Sequence, residues 1–293
     1  MCTRDLMRGA AALLGMLCAM AHAGGMQAMA DDELAGVSGS DGLAFNLVGF
    51  SLQGPLTLTY TSPDGASLGL SNLSLSRSDD PAATFSDPYR LRVLSRGNGL
   101  ADVIALTGPA NANGLLKWQF AADWNVVANG IDHQGGALMI SDLVSRNASL
   151  TLTTPAGSGV EGVAFGLGLD LQIGQLLLRP RGRGVETEQL GFSGIRLGAA
   201  AEDGTLLGTP WHLADATHQP GIFNAVTDAN GVSSLHLGIG WPTGSSGAPI
   251  GSLVIDNIAF RSDALPGGQL DLGSSRIGTM QVQYLDVKLR GGF

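Results

Sequence analysis

Seven Asn-Gly and Asp-Gly dipeptides occur along the 293-residue chain, and they constrain its fold more than any other sequence feature. Asn, Asp and Gly tolerate the positive φ angles that tight hairpin turns require. Repeated turn signals of this kind predict a chain that doubles back many times, as the strands of antiparallel sheets do. The dipeptides are 41–42, 64–65, 98–99, 113–114, 129–130, 203–204 and 230–231.

Between these turns, apolar residues alternate with polar residues, so each segment presents its apolar side chains to one face. The composition agrees, because 44 glycines and only 14% charged residues favour strands and turns over helices. We predict an all-β fold of antiparallel, sandwich-like sheets, with a short helical turn around 32–34 near the mature N-terminus. The clearest alternating segments are 56–60, 68–70, 73–75, 150–152, 167–173, 235–239 and 285–289.

The first 23 residues have the pattern of a secretion signal. Arg4 and Arg8 supply positive charge, residues 9–20 form an apolar run, and Ala21 and Ala23 are the small residues of a cleavage site. The run is shorter than the roughly 20 residues that a spanning helix needs. We therefore expect cleavage after Ala23 and an exported protein of the periplasm, the outer-membrane surface or the extracellular space.

The mature chain has no cysteine, because Cys2 and Cys18 both lie in the predicted signal. This excludes disulfides, a thiolate nucleophile and a cysteine metal site. Loss of the signal changes the formal charge from −9 to −10, because it removes Arg4, Arg8 and Asp5. An acidic chain of this kind is not expected to bind nucleic acid.

The polar clusters of the chain lack the patterns of catalytic or metal sites. His212 and His218 flank Asp215, but we interpret them as part of a surface loop because metal sites need a fuller ligand set. Residues 36–39 and 191–194 resemble a serine nucleophile elbow without its second glycine, and we interpret both as turns. Residues 228–231 lack the distal Glu of a calcium loop and predict a hairpin turn.

Other charged residues leave alternatives open. The basic cluster at 179–184 could dock an acidic partner or protect the end of a strand. The acidic residues at 31–33, 79–80 and 228 predict solvated loops, but a carboxylate pair beside a cleft would support an envelope polysaccharide-binding or hydrolysing protein. We predict no enzyme and no catalytic, cofactor-binding or metal site.

The last ten residues, 284–293, alternate apolar and polar positions and end on Phe293, which resembles the terminal strand of outer-membrane β-barrels. Such barrels carry aromatic girdles and strands of roughly 9 to 11 residues. Aromatic residues make up only 5% of this chain, and its alternating segments are short. An outer-membrane β-barrel therefore stays as an alternative to the sandwich.

Residues 31–43 resemble the N-terminal module of DUF6160, an uncharacterised family of exported proteins of Gram-negative bacteria, some of them assigned to pilus systems. The matching positions are the acidic, Glu-Leu, apolar and glycine positions of that module. The resemblance implies an N-terminal module over 24–50, which leaves a glycine-rich β domain over 51–293. The Gly-Ser-Ser-Gly segment at 244–247, flanked by Pro242 and Pro249, is a candidate linker that would divide this domain near 242–250. The matching residues are Asp32, Glu33, Leu34, Val37, Gly39 and Gly42.

Together with the resemblance, these observations predict a non-enzymatic structural or interaction protein of a cell-surface or pilus-associated assembly. Its expected partners are proteins of the cell envelope or pilus, with peripheral rather than integral membrane association and no cofactor. Strand-edge pairing is the expected mode of binding, because it uses main-chain hydrogen bonds and needs no dedicated side-chain site.

Overall fold

Every regular element in the described part of the chain is a β-strand. The computed structural model describes residues 42–61, 65–79, 87–97, 99–157, 159–244 and 247–290, and these contain 18 strands and no helix. The strands form two antiparallel sheets of nine, neither of which closes on itself, which confirms the predicted all-β, sandwich-like fold. The predicted signal with Ala21 and Ala23, the helical turn and the module residues Asp32, Glu33, Leu34, Val37 and Gly39 lie outside the described residues.

One sheet, sheet A, has the strand order β1-β5-β6-β9-β10-β14-β15-β18, and β13 also pairs with β10. Gly42, the module residue that the structure describes, is the first residue of β1. The strands of sheet A are β1 (Gly42–Phe45), β5 (Tyr89–Leu94), β6 (Val103–Thr107), β9 (Ser149–Thr153), β10 (Val163–Leu169), β13 (Trp211–Ala214), β14 (Gly221–Thr227), β15 (Ser233–Ile239) and β18 (Leu285–Arg290).

The other sheet, sheet B, has the order β17-β16-β12-β11-β8-β7-β4-β2, and β3 also pairs with β4. Its strands are longer on average, and several carry β-bulges. The strands of sheet B are β2 (Ser51–Gln53), β3 (Leu58–Thr61), β4 (Ser67–Arg77), β7 (Trp118–Ala128), β8 (Ile131–Ser145), β11 (Leu171–Arg179), β12 (Gln189–Ala199), β16 (Gly251–Arg261) and β17 (Gln269–Met280).

The chain passes between the sheets along one line, which we call the fold line. Ser145 ends β8 and lies opposite Leu171, the first residue of β11, and Leu171 lies opposite Leu197 near the end of β12. Three adjacent crossings are therefore at the same end of their strands. Hairpin turns within each sheet lie at the other end, and we call them the hairpin tips. One is the predicted turn at Asn129-Gly130, whose φ angles are 53° and 75°.

Strand register places the large apolar side chains on one face of each sheet, because directly opposed residues of antiparallel strands share a face. We call these the apolar faces. The remaining faces carry mainly small, polar and charged residues. In sheet A, one row on the apolar face is Leu43, Leu91, Leu106, Leu150 and Leu167. In sheet B, one row is Leu138, Leu178, Leu190, Phe260 and Leu270.

Aromatic side chains join the two apolar faces at the fold line. The Trp211 ring of sheet A lies directly over Gly251 of sheet B, where an added Cβ would come within 2.2 Å of the ring. Trp211 Nε1 also donates a hydrogen bond to the Pro249 carbonyl at 3.0 Å. Tyr89 of sheet A contacts Trp118 of sheet B, and burial there raises the pKa of the tyrosine. These contacts bury the apolar faces near the fold line.

Toward the hairpin tips, the apolar faces are partly exposed. On β4, Leu68 at the tip is exposed whereas Leu73 is buried. The two sheets show the same difference when they are compared with each other. Ile104, near a hairpin tip of sheet A, is exposed, whereas Trp118 of sheet B, at the fold line, is buried. The packed core of the described fold is therefore concentrated near the fold line.

The structure corrects three local predictions. Residues 191–194, predicted as a turn, lie inside β12, where Gly194 has a φ of 62° but the strand keeps its register with both neighbours and does not reverse. The predicted segments 68–70 and 73–75 belong to one strand, β4, which has an irregular register around Asn72. The predicted segment 167–173 is divided at Asp170, where the chain crosses the fold line.

The described residues form one compact unit. Within it, the chain between β15 and β16 contains the candidate division near 242–250 and crosses from sheet A to sheet B.

Candidate interaction edges

The longest exposed edge of the described fold is β17, the edge strand of sheet B. It spans 12 residues, and all of them except Gly278 and Met280 are exposed. One side of β17 pairs with β16, and no described strand pairs with its other side. A long edge with unpaired backbone groups can add a strand from another chain.

β17 also exposes large apolar side chains. Leu270, Leu272 and Ile277 are each about half exposed or more, and Leu272 reaches 60%. Strands of this kind are normally covered or protected by charge. β17 has two charged residues, but Asp271 accepts a hydrogen bond from Asn257 at 3.2 Å and Arg276 donates to the Asp203 carbonyl at 3.4 Å. The apolar side chains therefore remain available to a partner.

The opposite end of the fold has shorter exposed edges. β1 is the first strand of sheet A and exposes Leu43. β3 pairs only with β4 among the described strands and exposes Leu58 and Tyr60. Apolar side chains thus lie at both ends of the stack of strands.

A polar network lies on the outer face of sheet A, where β14, β15 and β18 meet. His236 Nδ1 is 2.8 Å from Asn224 Oδ1, and His236 Nε2 is 3.4 Å from Asp286 Oδ1. Lys288 Nζ lies 3.4 Å from Asp286 Oδ2. His236, Asp286 and Lys288 line a depression of about 230 Å³. The network joins three strands side by side and fixes the position of the edge strand β18.

The structure brings together only part of the predicted histidine cluster. His218 Nδ1 lies 3.3 Å from Asp215 Oδ1, and the same oxygen accepts the backbone N–H groups of Thr217 and His218. His212 lies on β13 instead. Among the residues that the structure describes, no group of three or more His, Cys, Asp or Glu side chains is placed to hold a metal ion.

The basic cluster at 179–184 bonds mainly within the fold. Arg179 is buried, and it donates to Gln189 Oε1 at 3.0 Å and to Glu186 Oε1 at 3.2 Å. Arg183 donates to Asp123 Oδ1 at 2.8 Å. Two guanidinium groups of the cluster therefore hold the β11–β12 hairpin loop onto sheet B. This arrangement agrees with the alternative in which the cluster protects the end of a strand.

Of the predicted acidic loops, the structure describes Asp79 and Asp228, and both carboxylates have local structural roles; residues 31–33 and Asp80 lie outside the described residues. Asp79 pairs with Arg77. Asp228 accepts the backbone N–H groups of Asn230 and Val232, which confirms the predicted hairpin turn at 228–231. Glu186 and Asp263 line a depression of about 340 Å³ at the tips of sheet B, but Glu186 is paired with Arg179.

One carboxyl group is buried at the fold line. Asp170 lies between β10 and β11, and burial raises its pKa although Arg146 acts in the opposite direction. Its backbone carbonyl accepts the N–H of Arg146 at 3.0 Å. Asp170 is surrounded by chain crossings rather than by a cleft, so its position indicates a role in shaping the fold line.

Leu270 and Leu272 alternate with polar residues, as in a half-buried strand, but this alternation does not show that β17 is an edge. No local signal distinguishes an edge strand from a central one. In the described ranges, no helix is both long and apolar enough to cross a bilayer. Comparison of the chain with protein-family models, curated proteins and solved structures finds no match, so the resemblance of residues 31–43 to the DUF6160 module stays a prediction.

Proposed function

We propose that this protein is a non-enzymatic, exported component of a cell-surface or pilus-associated assembly, and that it binds its protein partners through the edge of sheet B. The observation that carries the proposal is the exposed edge of β17, which has 12 residues and three exposed large apolar side chains. The secretion-signal pattern of residues 1–23 supports export, and the resemblance of residues 31–43 supports a pilus-associated setting.

Strand addition at β17 accounts for both features of this edge. The backbone of an incoming strand would satisfy the N–H and C=O groups that β16 leaves unpaired. The same strand would cover Leu270, Leu272 and Ile277, which lie at the edge rather than in a described core. Burying apolar area contributes about 25 cal/mol per Å², so a partner strand gains from the side chains as well as from the backbone.

The proposal can be tested by placing a photo-cross-linking amino acid at Leu272 in cells that produce the full chain. The matched control is the same amino acid at Ile131, which is 59% exposed against 60% for Leu272 but lies at a hairpin tip of sheet B. We expect discrete cross-linked products from position 272 and not from position 131. Mass spectrometry of the products identifies the partner.

Two results would contradict the proposal. Position 272 could give no product although the labelled chain is exported and folded, which would mean that β17 has no partner in the cell. Alternatively, both positions could give the same products, which would mean that exposure alone determines cross-linking.

A further inference from the structure

We infer that copies of this chain associate head to tail, with the β17–β18 end of one copy pairing with the β1–β3 end of the next. This inference rests on the proposed function and deepens it, because it names a second copy of the chain as a partner of the β17 edge. Both sheets would continue across the junction between copies.

The topology places the free edges of both sheets at the same two ends. The strand order of each sheet follows the chain, so β1, β2 and β3 lie at one end and β17 and β18 at the other. Each end therefore presents one edge of sheet A and one edge of sheet B. Two copies can join both pairs of edges in a single contact.

The direction of the edge strands suits this contact. The main path of each sheet contains eight strands, and every neighbouring pair is antiparallel. With an even number of strands, the first and last run in opposite directions. A translated second copy would therefore place its β1 antiparallel to β18 and its β3 antiparallel to β17, which preserves the alternation in both sheets.

One register brings apolar side chains together in both sheets. In sheet B it places Leu270 opposite Tyr60 of the second copy and Leu272 opposite Leu58. In sheet A, Leu285 lies opposite Phe45 of the second copy. Phe45 ends β1 and Leu285 begins β18, so both lie at the fold line, whereas Leu58 and Leu272 lie farther toward the hairpin tips of sheet B.

The side chains that meet in this register are compatible in face and charge. The apolar faces of the two copies align, because Leu58 and Tyr60 lie opposite Leu70 and Leu68 on β4, and Leu270 lies opposite Phe260. On the other faces, Asp271 would lie opposite Thr59 and Asp286 opposite Ala44. No charge faces a like charge, which would destabilise a strand pair.

Pairing within one copy is the geometric alternative. β1 and β18 do not pair in the structure, and six strands of the sheet A path lie between them. At about 4.8 Å per strand spacing, this separates them by roughly 34 Å along the sheet. In a head-to-tail contact the same edges pair between two copies, so a single copy does not have to close on itself. The contact joins two different surfaces and can therefore repeat to form a filament.

Disulfide trapping can test the inference in the purified full chain, with Cys2 and Cys18 replaced by serine. Tyr60→Cys and Leu270→Cys replace side chains that are 50% and 49% exposed, so neither removes a buried group. Opposed residues of an antiparallel pair have Cα atoms about 4.5 to 5.5 Å apart, which a disulfide can bridge. The control replaces Ile131 and Leu270 by cysteine.

We expect the Tyr60→Cys, Leu270→Cys chain to oxidise into a ladder of covalent multimers, and a mixture of the two single variants to give mainly the mixed dimer. The control pair should remain monomeric. A cross-linked monomer would overturn the inference in favour of closure within one copy, and a dimer from Leu270→Cys alone would overturn it in favour of symmetric β17–β17 pairing.

Absence of any disulfide product would also overturn the inference. The proposed function would stand in that case if position 272 still gave cross-links to other envelope proteins in cells. Conversely, a ladder in the purified protein without any cross-link from position 272 in cells would contradict the proposed function and leave head-to-tail association as a property of the isolated chain.

Discussion

The contact between Trp211 and Gly251 predicts that Gly251→Ala destabilises the fold. The added Cβ would lie 2.2 Å from the indole ring, and the ring is buried between the sheets. Overpacking of this kind costs about 1–3 kcal/mol. The φ angle of Gly251 suits an alanine, which returns about 0.4–1 kcal/mol through the unfolded chain. We therefore expect a net loss of about 1–2 kcal/mol.

Thermal and urea unfolding, followed by tryptophan fluorescence, measure this loss. For a domain of this size, about 1–2 kcal/mol corresponds to a fall in Tm of roughly 2–8 °C. Gly278→Ala is the matched control, because it lies on the neighbouring strand β17 and its Cβ would meet no atom within 4 Å. Equal stability of the two variants would refute the packing of Trp211 across the fold line.

The remaining predictions concern buried polar groups. Asn111→Ala should lower the free energy of unfolding by at least about 2 kcal/mol, because Asn111 bonds both the N–H and the C=O of buried Leu116; Asn113→Ala, in the exposed part of the same loop, should cost much less. Asp170→Asn should stabilise the protein at pH 7, because burial raises the pKa of Asp170 and makes its ionised form costly in the fold. Protonation of Asp170 removes this cost, so the free energy of unfolding of the unmodified chain should rise as the pH falls toward 3.8, the ordinary pKa of an aspartate. The difference in stability between Asp170→Asn and the unmodified chain should shrink over the same pH range, as measured by urea unfolding at several pH values.

Local alternation predicted the strands because half-buried strands expose one face and cover the other. It did not predict the fold line. Leu167, Leu169, Leu171 and Ile173 continue the same alternation through the crossing at Asp170, so the apolar pattern contains no break there. The crossing becomes apparent only from the pairing of β10 with sheet A and β11 with sheet B.

Glycine was the least reliable local signal. At Asn129-Gly130 it marks the hairpin turn that the dipeptide predicts. At Gly194, by contrast, it lies inside a strand with a φ of 62°, and an added Cβ would lie 2.2 Å from the Asp256 carboxylate. The neighbour on another strand decides which role a glycine has, and sequence spacing does not contain that information.

The candidate site could not be predicted for the same reason. Leu270 and Leu272 have the alternation of core residues, and they are exposed because no described strand covers the far side of β17. Whether a strand is central or at an edge depends on the order of the whole sheet. The sequence predicted binding through a strand edge, but only the structure shows which strand forms that edge.

Fractionation of cells that produce the tagged chain tests the central claim most directly. A tag inserted after Gly247 leaves Phe293 free, and the chain is compared with Leu272→Lys and with the equally exposed control Ile131→Lys. The unmodified chain and Ile131→Lys should sediment with the envelope and be released by alkaline carbonate, whereas Leu272→Lys should appear in the soluble exported fraction. Sedimentation of Leu272→Lys with the envelope, or retention of the unmodified chain after carbonate, would contradict partner binding through β17.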